Sequence, residues 1–190
     1  KVIGVQNSID QFFYEDNGKK YMFWGSFRGI YATELTDNGL EIKKKTDGTP
    51  VLKKRICGNR FEGTNIYKRG EYYYLFASIG TCCNGATSTY QTVVGRSKNV
   101  LGPYLDKTGR DMLYDYCEII MSGNETWAGP GHNSILVQDD VGTDWIIYHG
   151  YKKKEAENGR YVLMDKLIWS NDGWPSVKSN APSILEVAPY

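Results

Sequence analysis

The chain has 190 residues, 41% of them hydrophobic and 14% aromatic, with a formal net charge of +1. That is enough apolar material for one sizeable core and too little length for a clear division into two domains. The basic runs Lys43–Lys45, Lys53–Arg55 and Lys152–Lys154 are scattered among turn residues. Without interleaved aromatic stacking positions they read as solvated faces, which argues against a nucleic-acid footprint. No apolar stretch approaches the roughly 18 residues needed to cross a bilayer. No signal peptide is expected within the chain, and the start at Lys1 is compatible with a leader already removed.

In chain order, one pattern recurs three times: an ionisable residue, an apolar stretch, a turn with glycine, an aromatic and aliphatic run, and a small or polar terminus. The first copy is Asp10, Phe12, Phe13, Gly18, Tyr21, Phe23, Gly25. The second is Glu62, Ile66, Tyr67, Gly70, Tyr73, Leu75, Ala77, and the third is His132, Ile135, Leu136, Gly142, Trp145, Ile147, His149. In every copy an aromatic residue lies three positions past the glycine and the terminus seven past it. A third strand signal follows at Gly29 to Leu35, Tyr90 to Ser97 and Arg160 to Ile168. A weaker fourth is read near Leu40 to Lys44, Pro103 to Asp106 and Trp174 to Val177. Short alternating strands with glycine at the turns, repeated at this length, are the signature of stacked β units. Four strands per copy make a propeller blade.

The expectation is therefore an all-β chain carrying about three four-stranded blades, at residues 1–50, 51–115 and 116–190. In such an architecture the start of each innermost strand faces a common axis, so Asp10, Glu62 and His132 are expected to converge. Two carboxyl groups in a polar, aromatic-lined pocket are the minimum equipment for hydrolysing an acetal: one donates a proton to the leaving oxygen and the other stabilises charge or handles water. An isolated glutamate, with a pKa of about 4.3, is ionised at neutral pH. A proton-donating one needs burial or a neighbouring negative charge, which Asp10 supplies. Cys57, Cys82, Cys83 and Cys117 lack the paired spacing of a zinc site. They read as buried or loop thiols, because a disulfide between neighbours such as Cys82 and Cys83 is unusual. Trp145 and Trp169 read as core.

These residues resemble glycoside hydrolase family 43, five-bladed propeller enzymes acting on arabinan and xylan, and most of all its endo-1,5-α-L-arabinanases. Asn7, Ser8, Ile9, Asp10 with Trp24, Gly25, Ser26, Phe27 looks like the segment of the aspartate that tunes and orients the acid. Phe61, Glu62, Gly63, Thr64 with the run from Tyr72 to Phe76 looks like the segment of the general acid. Gly129 to Ser134 resembles the segment whose histidine, here His132, helps hold calcium or another cation. That ion prefers six to eight oxygens, so water would have to complete the shell. Cys82 to Gly85, Ser88 to Tyr90, Val94 to Ser97, Gly102 to Tyr104 and Asp172 to Pro175 are also similar to family segments.

The resemblance implies Glu62 as catalytic acid and Asp10 as modulator of its pKa and orientation. It implies substrate contact by Asn7, Ser8, Ser26, Phe27 and Arg28, and metal ligation by His132. It further implies a plant polysaccharide substrate, arabinan or arabinoxylan, an inverting mechanism, and a secreted or periplasmic setting, with a cytoplasmic one as the alternative.

Family members take their general base, an aspartate, from a blade that would precede Lys1, and Gln11 stands where relatives often have proline. The expectation is thus the C-terminal part of a propeller, either a trimmed or cleaved fragment or a chain completed by an N-terminal fragment or a blade-swapped copy, and inactive alone. Asp139, Asp140 and Asp165 stay open as a base. A β-xylosidase or α-L-arabinofuranosidase shares the same acid and modulator. A carbohydrate-binding pseudoenzyme keeps the aromatics and lacks the base, and a purely structural propeller has no need of aligned Asp, Glu and His.

Overall fold

Asn17 and Gly18 both have positive φ, 49° and 74°, the geometry of a two-residue turn whose twist matches that of the strands it joins. They close the hairpin of β1 (Phe12–Asp16) and β2 (Lys19–Trp24), in which Phe12 pairs with Phe23 and Asp16 with Lys19. Gly70, also at positive φ, opens the equivalent turn between β5 (Glu62–Arg69) and β6 (Tyr72–Ile79). In the computed structural model, which describes residues 5–187 and residue 189, the expected first three strands are present in the first two copies, whereas in the third Ile135 and Leu136 precede a two-residue strand at Val137–Gln138. The outermost positions of the expected first and last blades, residues 1–4, 188 and 190, lie outside the described residues.

The first sheet has the order β1-β2-β3-β4, with β3 at Ile30–Glu34 and β4 at Lys54–Cys57. The second has the order β5-β6-β7-β8, with β7 at Gln91–Ser97 and β8 at Glu118–Met121. In the third, β11 (Asp144–Lys152) pairs with β12 (Arg160–Lys166) on one side and with β9 (Trp127–Gly131) and β10 (Val137–Gln138) on the other. A separate two-stranded sheet joins β13 (Ile168–Trp169) to β14 (Pro175–Ser176).

The fourth strand is where sequence and structure part. Residues 40–44 and 103–106 contribute only isolated bridges, Leu35 with Ile42, Lys44 with Pro50, and Arg96 with Leu105. The sheets close instead on β4 and β8, beyond residues 50 and 115. Both are short, and the exposed Lys54 and Arg55 give β4 the charged character of an edge strand. The third sheet has no fourth strand of its own at 174–177, because β14 pairs with β13.

Contacts divide the chain into two compact units, Lys1–Phe76 with Gly95–Cys117, and Ala77–Val94 with Glu118–Tyr190. The first unit buries Phe23, Trp24, Ile30, Phe61, Leu75, Phe76, Tyr104 and Met112, and the second Tyr90, Met121, Trp145 and Ile146. The second strand of each copy contributes two of these side chains, Phe23 and Trp24, Leu75 and Phe76, and Trp145 and Ile146, which accounts for its aromatic and aliphatic run. Trp145 is core as expected, whereas Trp169 is half-buried and donates its Nε1–H to Asp144 Oδ2 at 2.7 Å. Cys57 and Cys117 are not disulfide-bonded, while Cys82 and Cys83 are joined in a disulfide between adjacent residues, contrary to the thiol expectation. No helix among the described residues is long and apolar enough to cross a membrane.

Candidate active site

Asp10 sits two residues before β1 with φ +58°, and Asn7 with φ +56°. Left-handed backbone is uncommon outside glycine and carries a local energy cost, so it persists only where the surroundings fix it. Here they do. The amide of Ile9 donates to Asn7 O at 3.0 Å, Ser8 Oγ donates to Val5 O at 2.6 Å, and the amide of Gly25 donates to Ile9 O at 2.9 Å. The segment carrying Asp10 is thereby tied to the end of β2.

The next loop, 25–29, needs glycine at its closest approach. Gly25 has φ +125°, and a Cβ there would lie 2.1 Å from Gly29 O. Within that loop Phe27, at φ +48°, donates its amide to Phe61 O at 3.0 Å, directly before Glu62. Asn7 Nδ2 donates to Ser26 O at 2.7 Å.

These ties place two carboxyl groups along one seam of the first unit. Ser26 Oγ donates to Glu62 Oε2 at 2.6 Å, and the amide of Gly63 donates to Asp10 Oδ2 at 3.2 Å. Glu62 is only 7% exposed and Ser26 2%. Both carboxylates make further interactions, as a buried acid must if its desolvation is to be offset. Of the other candidate contacts, Phe27 is half-buried, and Arg28 is exposed with Nη1 donating to Phe27 O at 3.1 Å. The structure therefore brings Asn7, Asp10, Ser26, Phe27 and Glu62 together, with Ser8 and Arg28 turned to local backbone oxygens.

His132 belongs to the second unit. Its side chain is exposed, its φ is +48°, and its amide donates to Ser78 Oγ at 2.7 Å. Among the described residues eight non-glycine residues have positive φ, and four of them, Asn7, Asp10, Phe27 and His132, are residues singled out from sequence as site candidates. Strained backbone clusters at functional sites often enough to make that coincidence informative.

The imidazole of His132 has a second ring beside it, His149, with centroids 6.3 Å apart, and His149 stacks on Tyr90 at 5.8 Å. Burial, then the guanidinium of Arg160, then His132 push the pKa of His149 down to about 4. Its Nε2 lies 3.3 Å from Arg160 Nη1 and its buried Nδ1 has no hydrogen-bond partner. Among the described residues no group of three or more His, Cys, Asp or Glu side chains is placed to hold a metal ion. A hard, oxygen-seeking cation therefore fits His132 only with water as the bulk of its shell.

Sequence reading missed Ser78 and His149. The first had a signal: a serine directly follows the small terminus in two copies, Ser26 after Gly25 and Ser78 after Ala77. Two of the three open alternatives for a base, Asp139 and Asp165, are engaged otherwise. Asp139 accepts from the amide of Thr143 at 2.7 Å and from Trp145 Nε1 at 2.8 Å. Burial works against its charge, but hydrogen bonds from Trp145, Thr143 and Val141 outweigh it and hold this carboxyl below its usual range. Asp165 is buried and bonded to the Tyr148 hydroxyl and the Ser183 amide.

With this geometry in hand, comparison with known proteins is specific. The family model described as glycosyl hydrolases family 43 matches residues 1–175. An extracellular exo-α-(1→5)-L-arabinofuranosidase of Cellvibrio japonicus is 36% identical over 173 residues, covering 86% of this chain and 49% of its own. An extracellular endo-α-(1→5)-L-arabinanase of Bacillus subtilis is 35% identical over 173 residues, covering 90% and 50%. Among solved structures, the α-L-arabinanase of Cellvibrio cellulosa complexed with arabinohexaose superposes with a TM-score of 0.77 at 34% identity, covering 94% of this chain and 59% of that one. The chain spans about half the length of these curated relatives. Its consecutive antiparallel sheets are part of a β-propeller, and the chain belongs to glycosyl hydrolases family 43.

Proposed function

We propose that the protein hydrolyses arabinan at internal 1,5-α-L-arabinofuranosidic linkages with inversion, Glu62 serving as general acid and Asp10 as the carboxylate that orients and modulates it. The observation that carries this reading is the seam itself: Glu62 Oε2 held by Ser26 and Asp10 Oδ2 held by the amide directly after Glu62. An acid must protonate the departing glycosidic oxygen while a base activates water on the opposite face of the sugar, across a gap of roughly 6.5–9.5 Å. Glu62 is buried, and the amide that directly follows it donates to Asp10 Oδ2, which supports Asp10 as the carboxylate acting on it. No base is assigned within the chain. Asn7, Ser8, Phe27 and Arg28 are proposed to line the sugar site, on the strength of their places in the two loops that frame the seam.

His132 would hold a cation, calcium or another, whose chemistry there is a fixed positive charge clad in water. Secretion belongs to the same proposal and is supported by relatives that are extracellular by name.

A second reading is favoured by the exo-acting Cellvibrio japonicus relative: release of single arabinose units from chain ends. Product analysis separates the two, since internal cuts yield oligosaccharides first.

The deciding variant is Glu62→Gln in the full-length gene product. Arabinan turnover is expected to fall by about 10²–10⁴-fold, the usual contribution of a positioned acid, with the thermal midpoint nearly unchanged. Near-normal cleavage by this variant would remove Glu62 from the acid's role. Binding without turnover in the unaltered protein would leave a carbohydrate-binding propeller in place of an enzyme.

A further inference from the structure

We propose that Ser26 is a positioning residue for the acid: its buried hydroxyl, aimed by the backbone of loop 25–29, donates to Glu62 Oε2 and fixes the orientation in which that carboxyl group is presented. The inference rests on the reading of Glu62 as the acid and goes further by fixing how that acid is presented. A hydroxyl has one proton to donate, and a donor held in place by its own backbone holds in turn the carboxyl group that accepts from it. At 2.6 Å the Ser26–Glu62 bond is in the short range of charge-assisted O–H···O contacts.

Ser26 is poorly placed for a role on sugar. It is 2% exposed, its carbonyl accepts from Asn7 Nδ2, and its neighbours Gly25 and Phe27 are pinned by the bonds to Ile9 O and Phe61 O. The hydroxyl is therefore aimed by the backbone.

The internal repeat separates this role from a merely structural one. Ser78 stands one copy later at the same register position, is 0% exposed, and also reaches a residue that starts a repeat, His132. There the hydroxyl accepts from a backbone amide. At Ser26 the same joint has been turned to donate to an ionisable side chain. A joint between repeats explains why serine is there, and only the first one acts on a carboxyl group.

The test compares Ser26→Ala, Ser26→Cys and Ser26→Thr in the full-length gene product, reading arabinan turnover against pH. A hydroxyl donated to a carboxylate favours its charged form. Without it the acid keeps its proton to higher pH, so the alkaline limb of the kcat profile moves upward, by about one pH unit for a hydrogen bond of ordinary charge-assisted strength. In Ser26→Ala, kcat at the optimum falls by about tenfold through lost orientation, with KM changed less than about twofold. Cysteine keeps the volume but is a weak donor, so Ser26→Cys moves the limb in the same direction even if the alanine variant folds poorly. Ser26→Thr restores the limb.

A limb unchanged in both Ser26→Ala and Ser26→Cys overturns the proposal, as does a raised KM with the limb fixed, which would mark a sugar contact. Failure of the underlying reading looks different: the unaltered protein does not cleave arabinan, or Glu62→Gln cleaves it normally.

Discussion

A half-buried histidine beside a guanidinium is a poor place for a proton, and His149 shows the consequence at the scale of one residue. Its pKa is about 4 in the folded chain, against about 6.5 for a free imidazole. Between these values the unfolded chain binds a proton that the folded chain does not. The contribution of His149 to stability is therefore full above about pH 6.5 and is lost as pH falls toward 4. Carboxylates titrate over the same range, so the measurement is a difference. The thermal midpoint of His149→Gln is expected to fall less steeply between pH 6.5 and 4 than that of the unaltered chain. Glutamine can still accept from Arg160, and identical slopes would show that this imidazole is not a source of the acid sensitivity. Asp10 and Glu62 were legible in the sequence, because ionisable residues opening an apolar repeat need a reason to be there. The direction of the Ser26 hydroxyl was not, since it depends on how loop 25–29 is held by partners far along the chain. His149 read only as the polar end of a strand, because its neighbours Arg160 and Tyr90 come from other strands and a loop.

At the scale of the element, glycine decides which loops exist. The Asn17–Gly18 turn has room to spare: no atom lies within 4 Å of a Cβ added at Gly18. The only cost of Gly18→Ala is its left-handed backbone, about 1–2 kcal/mol. Gly25 differs, because the added Cβ meets the backbone oxygen of Gly29 at 2.1 Å and φ is +125°. Strain and overpacking each contribute about 1–3 kcal/mol. Gly25→Ala is therefore expected to lose about 2–6 kcal/mol in chemical denaturation. Arabinan turnover should fall beyond the loss of folded protein, since Ser26 shifts with the loop. Equal costs at the two glycines would refute the close-approach argument. The same local rules explain which elements could be read in advance. Hairpins β1–β2 and β5–β6 carry their own turn chemistry and alternation, so their strands follow from sequence. The strands β4 and β8 are recruited after long connections and have only four residues each. Nothing local marks them against the bridges formed by residues 40–44 and 103–106. The Cys82–Cys83 disulfide was missed for a related reason: adjacency argues against it on average, and a particular loop overrides the average.

At the scale of the whole molecule, charge says what kind of partner the chain suits. Net charge is +1, and the basic runs read from sequence as solvated faces are partly neutralised where they lie. Lys43 Nζ pairs with Glu34 at 2.8 Å and Lys152 Nζ with Glu155 at 2.6 Å. Such exposed pairs add little stability, but they reduce the positive field that would draw in a polyanion. The proposed substrate is an uncharged pentose polymer, recognised by hydroxyl hydrogen bonds and aromatic contact rather than by charge. Ionic screening acts on exposed charges separated by about a Debye length, roughly 10 Å at 0.1 M salt and 3 Å at 1 M. It leaves the buried Ser26–Glu62 bond and neutral hydrogen bonds largely untouched. Raising sodium chloride from about 0.05 to 0.5 M is thus expected to change KM for arabinan in the full-length gene product by less than about twofold, with kcat unaltered. A loss of affinity of tenfold or more over that range would mean that charged groups dominate recognition. That outcome would point away from neutral arabinan and toward an acidic polysaccharide, with Arg28 and the scattered lysines as the first residues to substitute.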